Sequence, residues 1–333
     1  MHTGCVICVL SYFVILDMSA KQSTNRLIML RPACFCFNTE TAISNAFQNP
    51  SYAQNSSANN IQQQALIEFD RMVDKLRTNG IHVDVFQDTS LPIKPDAIFP
   101  NNWFSTHPDG TIVLYPMLAE NRRLERRTDL IQHLIHTHHV TAVIDFSAYE
   151  QRQEFLEGTG SLVLDRLNRK IYAVRSPRTH TNIIDHWMKV LDYHRPAIIF
   201  DSVDSNDQAI YHTNVMMAIG TNLAVICSES IKNDGERTRV IESLKENSSR
   251  TIVEITLEQM NHFAGNMLEV QNEHGESFLV MSKAAHDCLT DEQRQSIERT
   301  KTKLLDFDVS TIEQCGGGSA RCMIAENFLL PNH

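Results

Sequence analysis

The sequence predicts an α/β fold in which short strands come in pairs with helices between the pairs, and three observations carry that prediction. Runs of strand character alternate with amphipathic helical stretches along the whole chain. Several strands lie close enough to form hairpins, as Ser161–Asp165 and Ile171–Val174 do across Leu167-Asn168. No Pro- or Ser-rich linker divides the 333 residues. Simple doubly wound or barrel folds do not demand so many strand–turn–strand pairs, whereas repeated β-β-α modules do.

In chain order, Leu27–Leu30 reads as the first strand, and the polar stretch Asn49–Gln64 as a surface loop running into a helix. That helix is expected over Ile61–Asn79, where Ala65, Leu66, Phe69, Met72, Val73 and Leu76 share a face and Gly80 gives a stop signal. Alternation over Ile81–Phe86 predicts a strand. Further strands are expected at Ile112–Tyr115, Ala142–Phe146, Ala197–Phe200, Val215–Ile219, Leu223–Cys227, Ile252–Ile255 and Phe278–Met281. Helical patterns recur at Arg122–His136, Thr181–Leu191, Glu236–Glu246 and Asp291–Leu305.

With 42% hydrophobic residues and 40 acids against 30 bases, the chain has a core and a net charge of −10. An acidic balance argues against nucleic acid as the partner and favours a small-molecule substrate. The eight cysteines follow no regular spacing. Neither Cys5-x-x-Cys8 nor Cys34-x-Cys36 has the second half that a zinc site needs, so no metal is expected, and a core-rich chain of this length needs no disulfide framework. The cluster His133, His136, His138 and His139 closes a predicted helix, where histidines favour the negative end of the dipole, and no carboxylates accompany it. The apolar run Gly4–Leu16 is shorter than the ~20 residues a bilayer demands and lacks a basic leader and a small-residue cleavage site, so no stable membrane association is expected. Met18 reads as the expected start, residues 1–25 as a leader, and residues 26–333 as one catalytic domain of a cytoplasmic enzyme. Homo-oligomerisation is left open.

The sharpest local signal is Cys315-Gly-Gly-Gly-Ser-Ala-Arg-Cys322. Consecutive glycines let a backbone approach a ligand, and a cysteine just beyond, next to Arg321, sits where a thiolate is stabilised. The same segment also fits a buried cysteine after a flexible turn. A nucleophilic cysteine needs a proton carrier and a group to orient it. His212 at the mouth of a strand and Glu157 at a Gly-rich turn are the candidates, and Asn101, Asn102 and Trp103 add two amides beside an aromatic wall. Each segment alone is weak, since an Asn-Asn pair is usually a turn.

Taken in order, Phe99-Pro-Asn-Asn-Trp103, Arg122-x-x-Glu125, Glu157-Gly-Thr-Gly160, Ser176-Pro-Arg-Thr179, Tyr211-His-Thr-Asn214 and Gly316-Gly-Gly-Ser-Ala-Arg-Cys322 resemble the arginine deiminase-like (pentein, amidinotransferase-related) superfamily from about Arg26 to Pro331. Within it the motifs look most like the citrulline ureidases. The resemblance implies a propeller of five ββαβ modules around a central site, working without cofactor. It implies Cys322 as nucleophile, His212 as acid–base, and Glu157 as the acid that holds His212 or the substrate nitrogens. The family stretch carries a second acid that Glu-Gly-Thr-Gly lacks. It also implies Arg122 and Arg178 as the grip on an amino-acid carboxylate, a task suited to a bidentate donor.

In arginine deiminases the positions of Asn102 and Asn214 are aspartates that clamp a guanidinium, a group that only donates. Two amides there suit a neutral ureido group, which both donates and accepts, so the resemblance and this replacement together point to citrulline. Asn101 and Trp103 join the expected substrate contacts. Deimination of arginine, agmatine or a methylated arginine is the alternative, and a pentein-fold binding protein without catalysis a second. The sequence does not fix the residue that holds the substrate α-amino group; Asp207, on the loop before His212, is one candidate but reads more readily as a solvated loop acid.

Overall fold

The computed structural model describes residues 21–246 and 249–332; the expectations about Met18, Cys5 and Cys8 fall outside them. The described strands form five three-stranded sheets of one plan. A middle strand pairs antiparallel with a short strand before it and parallel with a strand after it. β3 (Phe104–Thr106), β4 (Thr111–Leu114) and β5 (Ala142–Asp145) make one such sheet. β6 (Val163–Asp165), β7 (Lys170–Val174) and β8 (Ile198–Phe200) make the next. β9 (Met217–Ile219), β10 (Leu223–Ile226) and β11 (Thr251–Glu254) follow, then β12 (Leu268–Gln271), β13 (Ser277–Ser282) and β14 (Thr302–Phe307). The remaining sheet joins the two ends of the described chain. β1 (Arg26–Arg31) pairs parallel with β2 (His82–Gln87) and antiparallel with β15 (Ala325–Glu326). β15 thus fills the place that β3, β6, β9 and β12 hold in their own sheets, and the five modules close into the pentein propeller.

The parallel pairing explains where the helices fall. Antiparallel strands can be joined by a tight turn, but parallel neighbours need a long crossover, usually a helix. Ala58–Thr78 links β1 to β2, Thr128–Thr137 links β4 to β5, Thr181–Val190 links β7 to β8, Asp234–Lys245 links β10 to β11, and Lys283–Cys288 with Asp291–Glu298 links β13 to β14. The Ala58–Thr78 helix buries Ile61, Ala65, Phe69, Met72, Val73 and Leu76, the face read from the sequence, and Ser57 caps its start by accepting from the Asn60 amide. The Thr181–Val190 helix buries Ile183, Ile184 and Trp187 against Tyr115, Ile171 and Ala173, and the Trp187 indole N–H donates to the Tyr115 hydroxyl at 2.8 Å. Burying such an aromatic with its polar atom satisfied contributes several kcal/mol, roughly 25 cal/mol per Å² of apolar surface.

Five expected elements need correction. The polar stretch Asn49–Gln64, expected as a loop, holds a short helix over Pro50–Asn55, capped by the Asn49 side chain accepting from the Tyr52 amide, and the first turns of the long helix, which begins at Ala58 rather than Ile61. The stretch Arg122–His136 is two helices, Glu120–Arg123 and Thr128–Thr137, because Arg127 is extended and opens the second. The helix expected over Asp291–Leu305 ends at Glu298; Lys301 turns back at φ 65° and Thr302–Phe307 becomes β14, laid parallel on β13. The strands expected at Ser161–Asp165 and Val215–Ile219 begin at Val163 and Met217, since the residues before them coil into single helical turns over Gly158–Ser161 and Thr213–Val215. Apolar side chains packed inward from a turn look, in sequence, like a longer strand. Both coiled turns carry site residues.

Candidate active site

Each strand that starts a sheet is preceded by a turn, and four of these turns meet at one end of the ring. Pro100–Asn102 precedes β3, Gly158–Ser161 precedes β6, Thr213–Val215 precedes β9 and Ala320–Met323 precedes β15. Their meeting requires close backbone approach at Gly160. A Cβ there would lie 2.5 Å from Asn102 Nδ2 and 2.8 Å from His212 Nδ1. Gly160 therefore lets the amide of one module and the imidazole of another come together over the third.

A narrow cavity opens at this point, with Asp96, Asn102, Arg122, Arg178, His212, Tyr211 and Cys322 in its wall. His212 Nε2 and Glu157 Oε2 are 2.8 Å apart, both buried. Burial pushes the imidazole down to about 4 although Glu157 pulls the other way. Burial also works against the Glu157 charge, but Arg178, His212 and Arg122 outweigh it and hold the carboxyl far below its ordinary range. The histidine is thus neutral at pH 7, its Nε2 turned to a carboxylate and its Nδ1 toward Gly160. Among the described residues, the hydrogen-bond partners of Cys322 Sγ are amides: Asn266 Nδ2 donates to it at 3.2 Å and Asn214 Nδ2 at 3.7 Å, while Asn266 Oδ1 lies 3.6 Å away as an acceptor for its S–H.

The arginines are engaged more deeply with the protein than a free carboxylate grip requires. Arg122 forms a two-bond fork with Glu125, donates to the Phe99 carbonyl, and donates through Nη1 to Asn102 Oδ1 at 2.8 Å. Arg178 donates to Ser44 Oγ and the Thr41 carbonyl, lies 3.4 Å from Glu157, and stacks on the Tyr211 ring at 4.9 Å. One consequence concerns Asn102. An arginine can only donate, so the bond from Arg122 fixes the amide with its oxygen toward the guanidinium. The Asn102 Nδ2 is left buried without a partner among the described residues, as is Asn214 Oδ1.

Other candidates fall outside the cavity wall. Trp103 is fully buried in the apolar cluster of Ile28, Leu30 and Phe104, because a tight turn of three residues sends neighbours to different sides. Asn101 is fully buried, its carbonyl accepting from Thr159 Oγ1. Asn214 reaches the sulfur but lines a second cavity, with Thr159 and Arg321. Asp207 is an exposed turn residue at φ 58° and does not approach the site. His133, His136 and His139 are exposed and His138 is bonded to Thr137 and Asn327; no group able to hold a metal is found among the described residues. No described helix is long and apolar enough to cross a membrane.

Two site residues escaped the sequence reading. Asp96, three residues before Phe99, lies in the cavity wall; its Oδ2 accepts from Asn38 and Thr41 while its Oδ1 has no partner among the described residues. Burial raises its pKa, with Arg122 and Arg178 opposing. Its nearness to the Pro-Asn-Asn turn was the available signal. Asn266 is the other, in a segment that otherwise reads as apolar.

Comparison with known proteins agrees with this architecture. The sequence profile described as "N,N dimethylarginine dimethylhydrolase, eukaryotic" matches residues 31–329. A search of curated proteins finds no match. Among solved structures, a mutant N-terminal domain of ArgZ bound to substrate, a cyanobacterial arginine dihydrolase, is similar with TM-score 0.69 at 16% identity, over 90% of this chain and 97% of that one. The chain spans 40% of full-length ArgZ. A dimethylarginine dimethylaminohydrolase adduct with S-methyl-L-thiocitrulline is similar with TM-score 0.60 at 14% identity, over 92% of this chain and 100% of that one. With these matches on the propeller, the chain belongs to the family described as N,N-dimethylarginine dimethylhydrolase, eukaryotic, and has the pentein fold.

Proposed function

We propose that the protein hydrolyses the ureido group of citrulline, giving ornithine, carbon dioxide and ammonia. The observation that carries this is the Asn102 amide in the cavity wall, locked by Arg122 with its N–H group left without a partner among the described residues. A guanidinium offers five donors and no acceptor, so it leaves that buried N–H unpaired at a cost of about 1–3 kcal/mol. A ureido carbonyl accepts from it. Asn214 Oδ1, also unpaired beside the sulfur, accepts from a ureido N–H.

At the other end of the substrate, Asp96 Oδ1 faces the cavity as an acceptor for the α-ammonium, while Arg178, and Arg122 beside it, meet the carboxylate. His212 takes the proton of the Cys322 thiol as the sulfur adds to the ureido carbon; the C–N bond to the terminal nitrogen then breaks as His212 passes that proton to it, and it leaves as ammonia. Water, deprotonated by His212, then displaces the sulfur. The carbamate released falls apart to ornithine and carbon dioxide.

The family profile and the arginine-processing neighbours favour a second reading, hydrolysis of a guanidino substrate. Incubating the purified protein separately with citrulline, arginine and an N-methylated arginine decides between them. Ornithine and ammonia from citrulline is the expected result. Citrulline from either guanidino compound, with citrulline itself untouched, sinks the proposal.

A further inference from the structure

Five turns stand at the same place in the five modules, two or three residues before the strand that starts each sheet. In chain order they present Asn102-Trp-Phe, Gly160-Ser-Leu, Asn214-Val-Met, Asn266-Met-Leu and Cys322-Met-Ile. One residue leads, and two largely apolar ones follow it into the ring. Four of the leading residues belong to the site already described. The fifth, Asn266, touches the sulfur but takes no part in the reaction steps above.

Its setting is built for one. Asn266 is fully buried. Its amide N–H donates to the Phe263 carbonyl at 2.8 Å, and Phe263 itself turns at φ 61° to bring the loop inward. At Gly265 a side chain would run into the Val215 carbonyl and the Met216 backbone, so only glycine lets this loop press against the turn before β9. There Asn266 Nδ2 donates to the Asn214 carbonyl at 2.9 Å and to Cys322 Sγ at 3.2 Å. The first bond fixes the amide orientation, since a carbonyl only accepts, so the amide atom nearer the sulfur is the donor Nδ2, at 3.2 Å, and the oxygen lies farther off at 3.6 Å.

The charges around Cys322 make that donor matter. Arg321, its neighbour in the chain, turns its guanidinium to the Ile324 carbonyl and Glu326. Arg122 and Arg178 are tied to Glu125, Glu157 and the protein backbone. His212 is paired with Glu157, Asp96 adds negative charge to the wall, and the Tyr211 hydroxyl donates to the Gly317 carbonyl. Among the described residues no cation is hydrogen-bonded to the sulfur. We propose that Asn266 is a catalytic residue that stabilises the Cys322 thiolate by direct hydrogen bonding, in place of the cationic partner that cysteine nucleophiles commonly use. This rests on Cys322 being the nucleophile but not on the identity of the substrate.

The test reads ionisation without substrate. Iodoacetamide alkylation of Cys322, followed by mass analysis of its peptide across pH 5–10, is compared in the wild type, Asn266→Ala and Asn266→Asp. A hydrogen bond to a charged group amounts to about a ten- to hundredfold change in the ionisation constant. Both variants should therefore alkylate at least ~10-fold more slowly at neutral pH, with the profile displaced to higher pH and further in Asn266→Asp, whose carboxylate repels the thiolate. The nearly isosteric Asp variant, with thermal unfolding measured alongside, keeps the test valid if the Ala variant does not fold. An unchanged alkylation profile in a folded variant overturns the proposal and leaves Asn266 a structural clip on the Asn214 turn. Displaced profiles in a protein inactive on citrulline uphold this role while rejecting the substrate assignment.

Discussion

Two sets of side chains meet at the cavity, and they are used in opposite ways. The charged set, Asp96, Arg122, Glu125, Glu157 and Arg178, is cross-bonded within the protein. In the neutral set, Asn214 and Asn266 touch the reacting sulfur, Asn102 lies in the cavity wall, and two polar atoms, Asn102 Nδ2 and Asn214 Oδ1, have no partner among the described residues. Buried charges are expensive unless paired, so the ions must first satisfy one another. Burial, with the charges of Asp96 and Glu157 adding to it, pushes the Glu125 carboxyl up to about 7 even beside Arg122. An amide costs less to leave waiting. The charged network therefore holds the frame and orients Asn102 and His212, while recognition at the reacting carbon falls to the amides.

The comparison can be broken at several points. The largest effect is expected from Cys322→Ser, which leaves both sets in place and removes only the nucleophile; turnover should fall by about 10⁴-fold or more with little change in thermal stability. Retained turnover, read as ornithine release, refutes the assignment. Glu157→Gln strikes the charged set, leaving Arg178 and Arg122 undercompensated and His212 unsupported. A loss of about 10²–10⁴-fold in kcat is expected, with destabilisation of roughly 3–5 kcal/mol. The sign of its pH effect follows from the depressed Glu157 pKa. The stabilisation by the ionised carboxylate is present above the unfolded value near 4.5 and disappears only as pH falls below it toward the folded value. The wild type should lose stability over that acid range, and the Gln variant should lose less of it, which unfolding curves at pH 3 and pH 7 measure.

Asn102→Asp combined with Asn214→Asp converts part of the neutral set into a clamp for cations. Charge-assisted bonds of about 1.5–3 kcal/mol each should move the ratio of guanidino to ureido turnover by at least tenfold toward arginine. An unchanged ratio of kcat/KM removes the amide argument. The smallest effect lies far from both sets. Ser57→Ala deletes the cap of the Ala58–Thr78 helix and should cost about 1 kcal/mol in unfolding free energy with kcat unchanged.

The sequence made the motif residues legible because chemistry-bearing side chains cluster in short, distinctive strings. Cys322, His212, Arg122, Arg178 and Asn102 do stand in one cavity wall, and Glu157 joins them through His212. Asn266 was hidden because His262-Phe-Ala-Gly-Asn-Met-Leu268 reads as one apolar stretch, and its match to the other turns is visible only once the modules are superposed in space. Trp103 misled in the opposite direction, since a residue beside a functional one in a tight turn points elsewhere. The turns at Gly158–Ser161 and Thr213–Val215 read as strand because alternation and inward packing leave the same apolar pattern.

By itself the sequence determined the α/β class, the helix faces and the presence of Cys322, His212 and Glu157 in motif order. These follow from local periodicity and from residue types that carry their chemistry wherever they stand. Only the tertiary structure decided that β15 closes the first sheet, that Arg122 spends its guanidinium on Asn102 and Glu125, and that Asn266 reaches the sulfur. Each of these is a contact between segments far apart in the chain, made by hydrogen bonds whose direction depends on where the partner lies.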